Sequence, residues 1–428
     1  MTQGQDLESF RANAQAWLAS NMSPLAGNPD ADGAAAPTSE QVALARRLQR
    51  QLYEGGFAGL AFPSEYGGRG LTAEHQRVFN QESAHYEMPL LFNVPTLTII
   101  APTLLDFGTE EQKRRHLPAI LRGDELWVQL LSEPSGGSDL AGVITRATRN
   151  DEAWVLNGTK VWSTGAQHCD VALCLARSDW DVPKHQGLTM FIVKMDQPGV
   201  VVEPIRTVNE TSDFCQEYLD DVVLPADGVL GQPSDGWSVA SRLLAYEREA
   251  ASGGSKFFSG FNKRSGPQED LLQLARATNQ SADRRVRQLV ADAHVYDIVQ
   301  QQLVDHLEQA IQTGRAAPLA GSILRLHGTM RHTRRTDIGF EIAGSGAVAW
   351  REGERAAGVP GRAFLWRQAA CLAGGSTEMQ RNIISERLLG MPREFAEDRE
   401  RPFRAVRINV GATSDARSPA KKGGSRDE

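Results

Sequence analysis

The middle of the chain places the tightest limit on its fold. From about Leu126 to Pro233 the sequence reads as short β-like runs, and on both sides of that region the periodicity is helical. Trp154-Val155-Leu156 and Lys160-Val161-Trp162 flank Asn157-Gly158, a dipeptide that tolerates left-handed backbone, which predicts a tight hairpin there. Val171 to Ala176, Leu188 to Val193 and Val200 to Val202 give further strands, separated by polar or glycine-bearing turns. Strands this short and closely spaced predict a small sandwich or barrel. Upstream, Val42, Leu44, Ala45, Leu48 and Leu52 recur at three- and four-residue spacing between Gln41 and Tyr53, a helical stripe. Thr38 with Gln41 three residues later fits a capping box, and the glycines of Pro63 to Gly70 break the helical pattern. Helices return from Gly236 to about Leu389, with Val286 to Ile311 and Gln380 to Leu389 the clearest. The predicted class is therefore α+β. It comprises an N-terminal helical domain (1–125), a central small β-domain (126–233), a C-terminal helical domain (234–395) and a charged tail (396–428) expected to be mobile.

Composition removes several function classes. With 428 residues the chain is long enough for two or three domains, and 41% hydrophobic content is too apolar for a disordered protein. Acids outnumber bases by 53 to 46, which argues against nucleic acid or an anionic membrane as the main partner. Cys169, Cys174, Cys215 and Cys371 are too few for a disulfide scaffold, and no second pair completes a zinc site, so no metal is expected. MTQGQDLESF lacks the basic and apolar regions of a secretory signal, and a cytoplasmic setting is expected. The most apolar window, Pro89 to Leu105, is interrupted by Asn93, Pro95 and Pro102 and is shorter than the ~20 residues of a membrane span, which predicts a buried helix.

Five stretches carry a more specific signal. They are AFPSEYGGRGL (61–71), FGTEEQKRRHLPAILRGDE (107–125), SEPSGGSDLAG (132–142), NGTKVWSTGA (157–166) and GGSTEMQRNIISERLLGMPRE (374–394). Together, in this order and spacing, they resemble the FAD-dependent acyl-CoA dehydrogenases over nearly the whole chain, and the overall style is similar to bacterial members acting on larger acyl groups such as steroid side chains. The resemblance implies a trans-2-enoyl-CoA product. The α-proton of an acyl thioester is abstracted while the β-hydrogen leaves as hydride to flavin N5. A thioester α-C–H is a poor acid, so the site needs a carboxylate whose basicity is raised by burial. It also needs donors aimed at the carbonyl oxygen, where enolate charge develops.

Carried over onto this sequence, the resemblance implies that Gln129, Leu131 and Ser132 approach the isoalloxazine edge, with Ser138 near the pyrophosphate or the CoA. Trp162 would pack on the flavin and Thr164 would bond near N5. Ser376 and Glu378 would touch the adenosine half across a subunit interface, and Glu341 and Gly344 fall in another FAD-contacting turn. Ser138, Tyr246, Arg248 and Gly375 are implied for thioester binding. Plain structural roles compete with several of these. Ser132 to Asp139 reads as a glycine-rich turn, Trp162 as a core aromatic, and Ser376 with Glu378 as a helix N-terminus.

The base is the most informative position. Many family members carry it in a Tyr-Glu-Gly-Thr-like turn before the Gln-Arg pair that here is Gln380-Arg381, and counting back places Gly374 there. Glycine cannot abstract a proton, but its N–H can polarise the thioester carbonyl. A minority of the family places the glutamate on an earlier helix, just before an arginine. Glu247-Arg248 in Leu244 to Ala250, followed by Ser252-Gly253-Gly254, looks like that helix, and Glu247 is the expected base. The competing reading is a solvated glutamate on a charged helix face. Glu249 lies about 200° further round the helix and cannot share the pocket.

Two positions depart from the family pattern. Its Arg-x-x-Phe-Gly stretch, which gives an arginine to FAD, is missing from Gly266 to Gln288, where Asn279 to Arg287 stands instead. The usual Gln-x-x-Gly-Gly reads Glu341-Ile342-Ala343-Gly344-Ser345. Gly344 to Ala349 also fits G-x-G-x-x-A, but no acidic residue follows about twenty positions later, which argues against a Rossmann site. The expected electron acceptor is an electron-transfer flavoprotein, and the expected assembly is a homotetramer or dimer, or a hetero-oligomer. Two further readings stay open. One is a non-catalytic or half-active partner subunit, and the other is a same-fold flavin oxidase or monooxygenase.

Overall fold

The computed structural model describes residues 6–25, 37–150, 152–251, 255–257, 271–316, 318–350 and 355–406. α1 (Leu7–Asn21) leads to α2 (Ser39–Glu54), whose capping box forms as the sequence predicts. Thr38 Oγ1 accepts from the Gln41 N–H, and Gln41 Oε1 accepts from the Thr38 N–H. The buried stripe of α2 is Val42, Ala45, Gln49 and Leu52, whereas Leu44 is exposed. Leu44 follows Val42 by two positions and so points to the far side. After α3 (Ala73–Glu82), a helical stretch from Leu90 runs into α4 (Ala101–Phe107). Leu90–Phe107 is apolar and long enough to cross a membrane, yet Leu97, Ile99, Ile100, Ala101 and Leu104 are fully buried inside the fold. Another capping box, Thr109 with Gln112, starts α5 (Glu110–Arg122), and the Gln112 amide donates to the Asp227 and Val229 carbonyls. That side chain ties the first helical layer to the β-domain.

The β-domain is one sheet. Its strands are β1 (Trp127–Leu130), β2 (Arg146–Arg149), β3 (Ala153–Thr164), β4 (Val171–Arg177), β5 (Leu188–Lys194), β6 (Val200–Ile205), β7 (Phe214–Pro225) and β8 (Val229–Leu230). The order is β6-β7-β3-β2-β4-β5-β8, with β1 added parallel to β4. Side chains from both halves meet in one buried cluster, among them Val128, Ala172, Phe191, Leu156, Leu219 and Leu224. The sheet thus curls around a core, in keeping with the barrel expectation.

The hairpin expected at Asn157-Gly158 does not form. β3 passes straight through it and pairs with β7 on both sides of an irregularity at that point. The hairpin lies one turn earlier, closed by Asn150 and Ala153 between β2 and β3. Asn157 and Gly158 serve tertiary needs instead. Asn157 Nδ2 donates to Asp221 Oδ1 and Asn157 Oδ1 accepts from the Asp221 N–H, while a Cβ on Gly158 would lie 2.8 Å from Thr145 Cα. The dipeptide marks a bulge and a close backbone approach, which local sequence cannot distinguish from a turn.

Glu217 of β7 is fully buried. It accepts from Ser163 Oγ at 2.9 Å through one carboxyl oxygen, and its other oxygen has no partner. Burial pushes its pKa up to about 7, against the pull of Ser163 and Lys160. Between the ordinary glutamate range and pH 7 the folded chain therefore holds a proton that the unfolded chain releases, so stability falls as pH rises through that window. Glu217→Gln is expected to raise the melting temperature at pH 8 more than at pH 5, read by thermal denaturation at both pH values. Equal shifts would contradict this reading.

The C-terminal layer comprises α6 (Gly236–Ala251), α7 (Leu271–Ala277), α8 (Arg284–Gln312), α9 (Gly321–Ala343), α10 (Arg355–Trp366), α11 (Ala369–Leu372) and α12 (Thr377–Ile383). α6 buries Val239, Ala240, Leu243 and Tyr246 in the same core as the Leu97–Leu104 stretch. The start of the tail expected to be mobile is instead docked. Phe403 is buried, its N–H donates to the Val182 carbonyl, and the Arg177 guanidinium lies 3.5 Å over its ring. An aromatic side chain set among charges found an apolar, cationic seat that composition does not reveal. Residues 407–428 lie outside the described ones.

Candidate active site

Three elements converge on the position that sequence comparison leaves without a side chain. Gly374 and Gly375 follow α11 in left-handed backbone, φ +66° and +87°, a conformation glycine enters without steric cost. The Gln380 amide, buried at the start of α12, donates to both their carbonyls at 3.2 Å and holds the turn. A Cβ built on Gly374 would stand 3.4 Å from Glu247 Oε1 and 3.3 Å from Arg325 Nε. The Glu247 carboxylate of α6 therefore reaches the space beside Gly374. Gln129 Nε2 of β1 donates to Glu247 Oε2 at 3.2 Å. Burial raises the Glu247 pKa above the ordinary carboxylate range, while Arg248 and Arg325 pull it back. Such a carboxylate is a stronger base than one in water, and the nearby cations favour its ionised form.

A second group lies on β3. Trp162 adopts φ +68°, rare for a bulky residue, at an irregularity between Val161 and Ser163. Its indole is 56% exposed. One edge meets Phe214 at 5.8 Å, and Phe214 stacks on Trp366 of α10. The core role that competed for Trp162 is thereby excluded. Backbone strain of this kind persists where surrounding structure over-determines it, and it concentrates at working sites. Thr164 is exposed two residues later, where β3 ends against Phe214.

The loop between β1 and β2 is pinned from beneath. The buried Glu133 carboxylate accepts from the Ile144 and Thr145 N–H groups at 2.7 and 2.9 Å, and from Lys160 Nζ at 2.9 Å. Burial alone would push Glu133 up, but Lys160 and these donors hold it below the usual carboxylate range. Lys160 Nζ also takes the Leu131 carbonyl, and the Ser132 carbonyl takes the Val161 N–H. Those two carbonyls are thus used internally, whereas the Ser132 hydroxyl is partly exposed; a Cβ on Gly137 would come within 3.2 Å of it. Ser138 is exposed, beside an Asp139–Lys184 ion pair.

The remaining predicted residues divide. Arg248 is partly buried next to Glu247. Tyr246 is not directed toward that pocket. Its hydroxyl donates to Asp106 Oδ2 at 2.9 Å and accepts from Arg242, and burial with Asp106 raises its pKa to about 12. Adjacent helix positions diverge by about 100°, so Tyr246 and Glu247 serve different neighbours. Ser376 caps α12 by accepting from the Met379 N–H, and Glu378 is exposed in the first turn, as the helix-terminus reading requires. Glu341 near the end of α9 is paired with Arg285. The two departures from the family pattern therefore neutralise each other. Gly344 ends α9 with φ +56°. Ser252-Gly253-Gly254 and the Gly266 to Asp270 segment lie outside the described residues. No His, Cys, Asp and Glu grouping among the described residues could hold a metal.

Sequence reasoning missed Arg325 and the Glu133–Lys160 pair. A strand-borne lysine two residues before Trp162 carried no local signal that it would be buried. Arg325 is one of many arginines on α9, and only packing singles it out.

A helical, β, helical chain with a partly buried carboxylate beside a glycine turn and a strained, exposed tryptophan is in keeping with a flavin-dependent dehydrogenase class. Residues 4–124 match the acyl-CoA dehydrogenase N-terminal domain, and residues 129–222 match the acyl-CoA dehydrogenase middle domain. The chain is 35% identical over 395 residues to the acyl-CoA dehydrogenase IpdE1 of Mycobacterium tuberculosis (strain ATCC 25618 / H37Rv), covering 91% of this chain and 99% of that one. IpdE1 of Mycolicibacterium smegmatis (strain ATCC 700084 / mc(2)155) is 32% identical, with 91% and 99% covered. Among solved structures, the Tcur3481-Tcur3483 steroid ACAD superposes with TM-score 0.73 at 25% identity, covering 92% and 100%. The ChsE4-ChsE5 complex of Mycobacterium tuberculosis superposes with TM-score 0.66 at 25% identity, covering 92% and 100%. The chain belongs to the acyl-CoA dehydrogenase family, whose members are FAD-dependent oxidoreductases.

The residues present fit the flavin end of FAD. Trp162 offers an exposed aromatic face, and nothing lies within 4 Å of a Cβ position at Gly136 or Gly165, so the backbone there is open to close approach. Of the two turns that depart from the family pattern, one contributes Arg285 and the other Glu341, and these two side chains pair with each other.

Proposed function

We propose that this chain dehydrogenates an acyl-CoA thioester between Cα and Cβ, with Glu247 as the base. The observation that carries the reading is the Glu247 carboxylate beside Gly374, where the more common family base would stand. Glu247 takes the α-proton, and the C–H electron pair becomes the Cα–Cβ double bond as the β-hydrogen departs with its own pair. Bound FAD supplies the acceptor for that hydride. The Gly374 N–H polarises the thioester carbonyl, and Ser138, Arg248 and Gly375 bind the rest of the thioester. Tyr246 acts instead through Asp106 and Arg242, fixing the helix that bears the base. Gln129, Leu131, Ser132, Trp162, Thr164, Gly344, Ser376 and Glu378 would hold FAD. The electrons then pass to an electron-transfer flavoprotein in the cytoplasm. Similarity to a structure titled steroid ACAD supports a bulky acyl group, such as a steroid side chain.

A second reading has its own support. The family's FAD arginine stretch is missing here, and Glu341, at the family's glutamine position, is paired with Arg285, as suits a half-active subunit of a hetero-oligomer. Purified protein is expected to be yellow and to bleach anaerobically when mixed with an acyl-CoA bearing a bulky acyl group. Protein that stays colourless with added FAD until a partner chain is supplied would favour the second reading. Yellow protein that no member of a broad acyl-CoA panel bleaches would defeat the dehydrogenase reading in favour of a same-fold oxidase or monooxygenase.

A further inference from the structure

Arg325 sits midway along one side of the pocket and reaches both of its essential parts. Its Nη2 donates to the Ala370 carbonyl at 2.9 Å and to the Ala373 carbonyl, the residue immediately before Gly374. Thr329, one helical turn along α9, also donates to Ala370. α9 therefore grips the backbone that presents the Gly374 N–H. The Arg325 Nε is buried and has no hydrogen-bond partner. It flanks, with Glu247 Oε1, the single point where a Gly374 Cβ would stand. Gln129 Oε1 and Gln380 Oε1, on the two amides that line the same pocket, are likewise buried without partners. A buried, unpaired Nε–H costs stability, so its placement here needs a reason.

We propose that Arg325 is a positioning residue that couples the base to the carbonyl-polarising turn: it sets the ionisation of Glu247 while clamping the 370–375 segment against it. The inference rests on Glu247 being the base. Around Glu247 the facing groups are Arg248 on its own helix, the neutral Gln129 on β1 and Arg325 on α9. Arg325 in turn faces Cys371 of α11, and Arg248 faces Arg387 and Glu249. Arg325 is thus the one cation from another element that acts on the carboxylate among the described residues. The charge works in two stages. Before reaction it favours the ionised carboxylate that burial would otherwise protonate. After proton transfer Glu247 is neutral, and the cation remains beside the enolate that has formed. Gly374 completes the arrangement, since any side chain there would occupy the point the two groups share.

The test compares wild type, Arg325→Gln and Arg325→Lys by anaerobic stopped-flow, following flavin bleaching by acyl-CoA from pH 5 to pH 9. The base must be ionised to act, so the rate rises with pH through the Glu247 pKa. Removing a cation within its range is expected to move that acid limb upward by about one pH unit or more in Arg325→Gln. Arg325→Lys, which keeps the charge but loses the two-carbonyl clamp, is expected to keep the limb near its wild-type pH while bleaching about tenfold more slowly. An unmoved limb in Arg325→Gln overturns the proposal, as does an equal shift in Arg325→Lys. If Arg325→Gln fails to fold, the Lys variant decides alone, because a limb displaced with charge retained contradicts the coupling. Loss of bleaching in Glu247→Gln with an unmoved limb in Arg325→Gln would fail this inference and leave the base assignment standing. Full bleaching in Glu247→Gln would fail the assignment itself.

Discussion

Glu247→Gln is expected to leave the protein yellow and able to bind acyl-CoA while slowing flavin bleaching by about a thousandfold or more. Glutamine keeps the length of the side chain and can still meet the Gln129 amide, which donates to Glu247 Oε2 in the native chain. What it cannot do is accept the α-proton. Of the proposed flavin contacts, those on β3 and the β1–β2 loop are separate from α6, and glutamine preserves the meeting with Gln129, so FAD content should not change. The decisive measurement is the single-turnover rate of bleaching with FAD occupancy held equal. A variant that bleaches within tenfold of wild type would remove Glu247 as the base. The loss should also be irrecoverable by pH, because no ionisable group replaces the carboxylate, and this separates it from the displaced limb expected at Arg325.

Lys160→Met carries the largest expected effect on stability. Lys160 and Glu133 are both buried, paired at 2.9 Å, with side chains 0% and 2% exposed. Removing the lysine leaves a carboxylate in the β-domain core without its counter-charge, a change that costs about 3–5 kcal/mol. The sign with pH follows from the linkage. In the native chain Glu133 lies below its ordinary range, so it contributes stability above the unfolded-state pKa that is lost as pH falls through the folded-state pKa. Without Lys160, burial dominates and the folded-state pKa rises above the unfolded one, so the variant becomes less stable as pH increases. Urea denaturation at pH 5 and pH 8 should therefore show the larger deficit at pH 8. The double variant Glu133→Gln/Lys160→Met is expected to recover part of the loss, since no buried charge remains. FAD content should fall in the single variant, because Lys160 also fixes the Leu131 carbonyl in the loop proposed to meet the flavin. Equal stability of the single variant and wild type would show that the pair is not the pin of this loop.

Most of the element plan was legible locally. The capping boxes at Thr38 and the strands at Val171, Leu188 and Val200 depend on neighbouring residues, and those neighbours are visible in sequence. Glu247 was chosen as the expected base by a different route, because Gly374 could not be a base and another carboxylate preceded an arginine on a helix. Where local logic failed, the cause was tertiary. Asn157-Gly158 carries the same signal whether it turns a hairpin or accommodates Thr145 against a straight strand. Tyr246 sits next to Glu247 in sequence, but the helix turns its hydroxyl toward Asp106. Phe403 lies in a charged segment and still finds a seat beneath Arg177.

The sequence by itself determined the order of helices and strands, the family, and that position 374 carries no side chain, because these depend on residue type and spacing. Only the tertiary structure decided that Glu247 and Arg325 flank the space beside Gly374, and that Glu341 and Arg285 satisfy each other. Each of those is a meeting of charges from distant elements. The energy of such a meeting is set by separation and burial, and neither exists until the chain has folded.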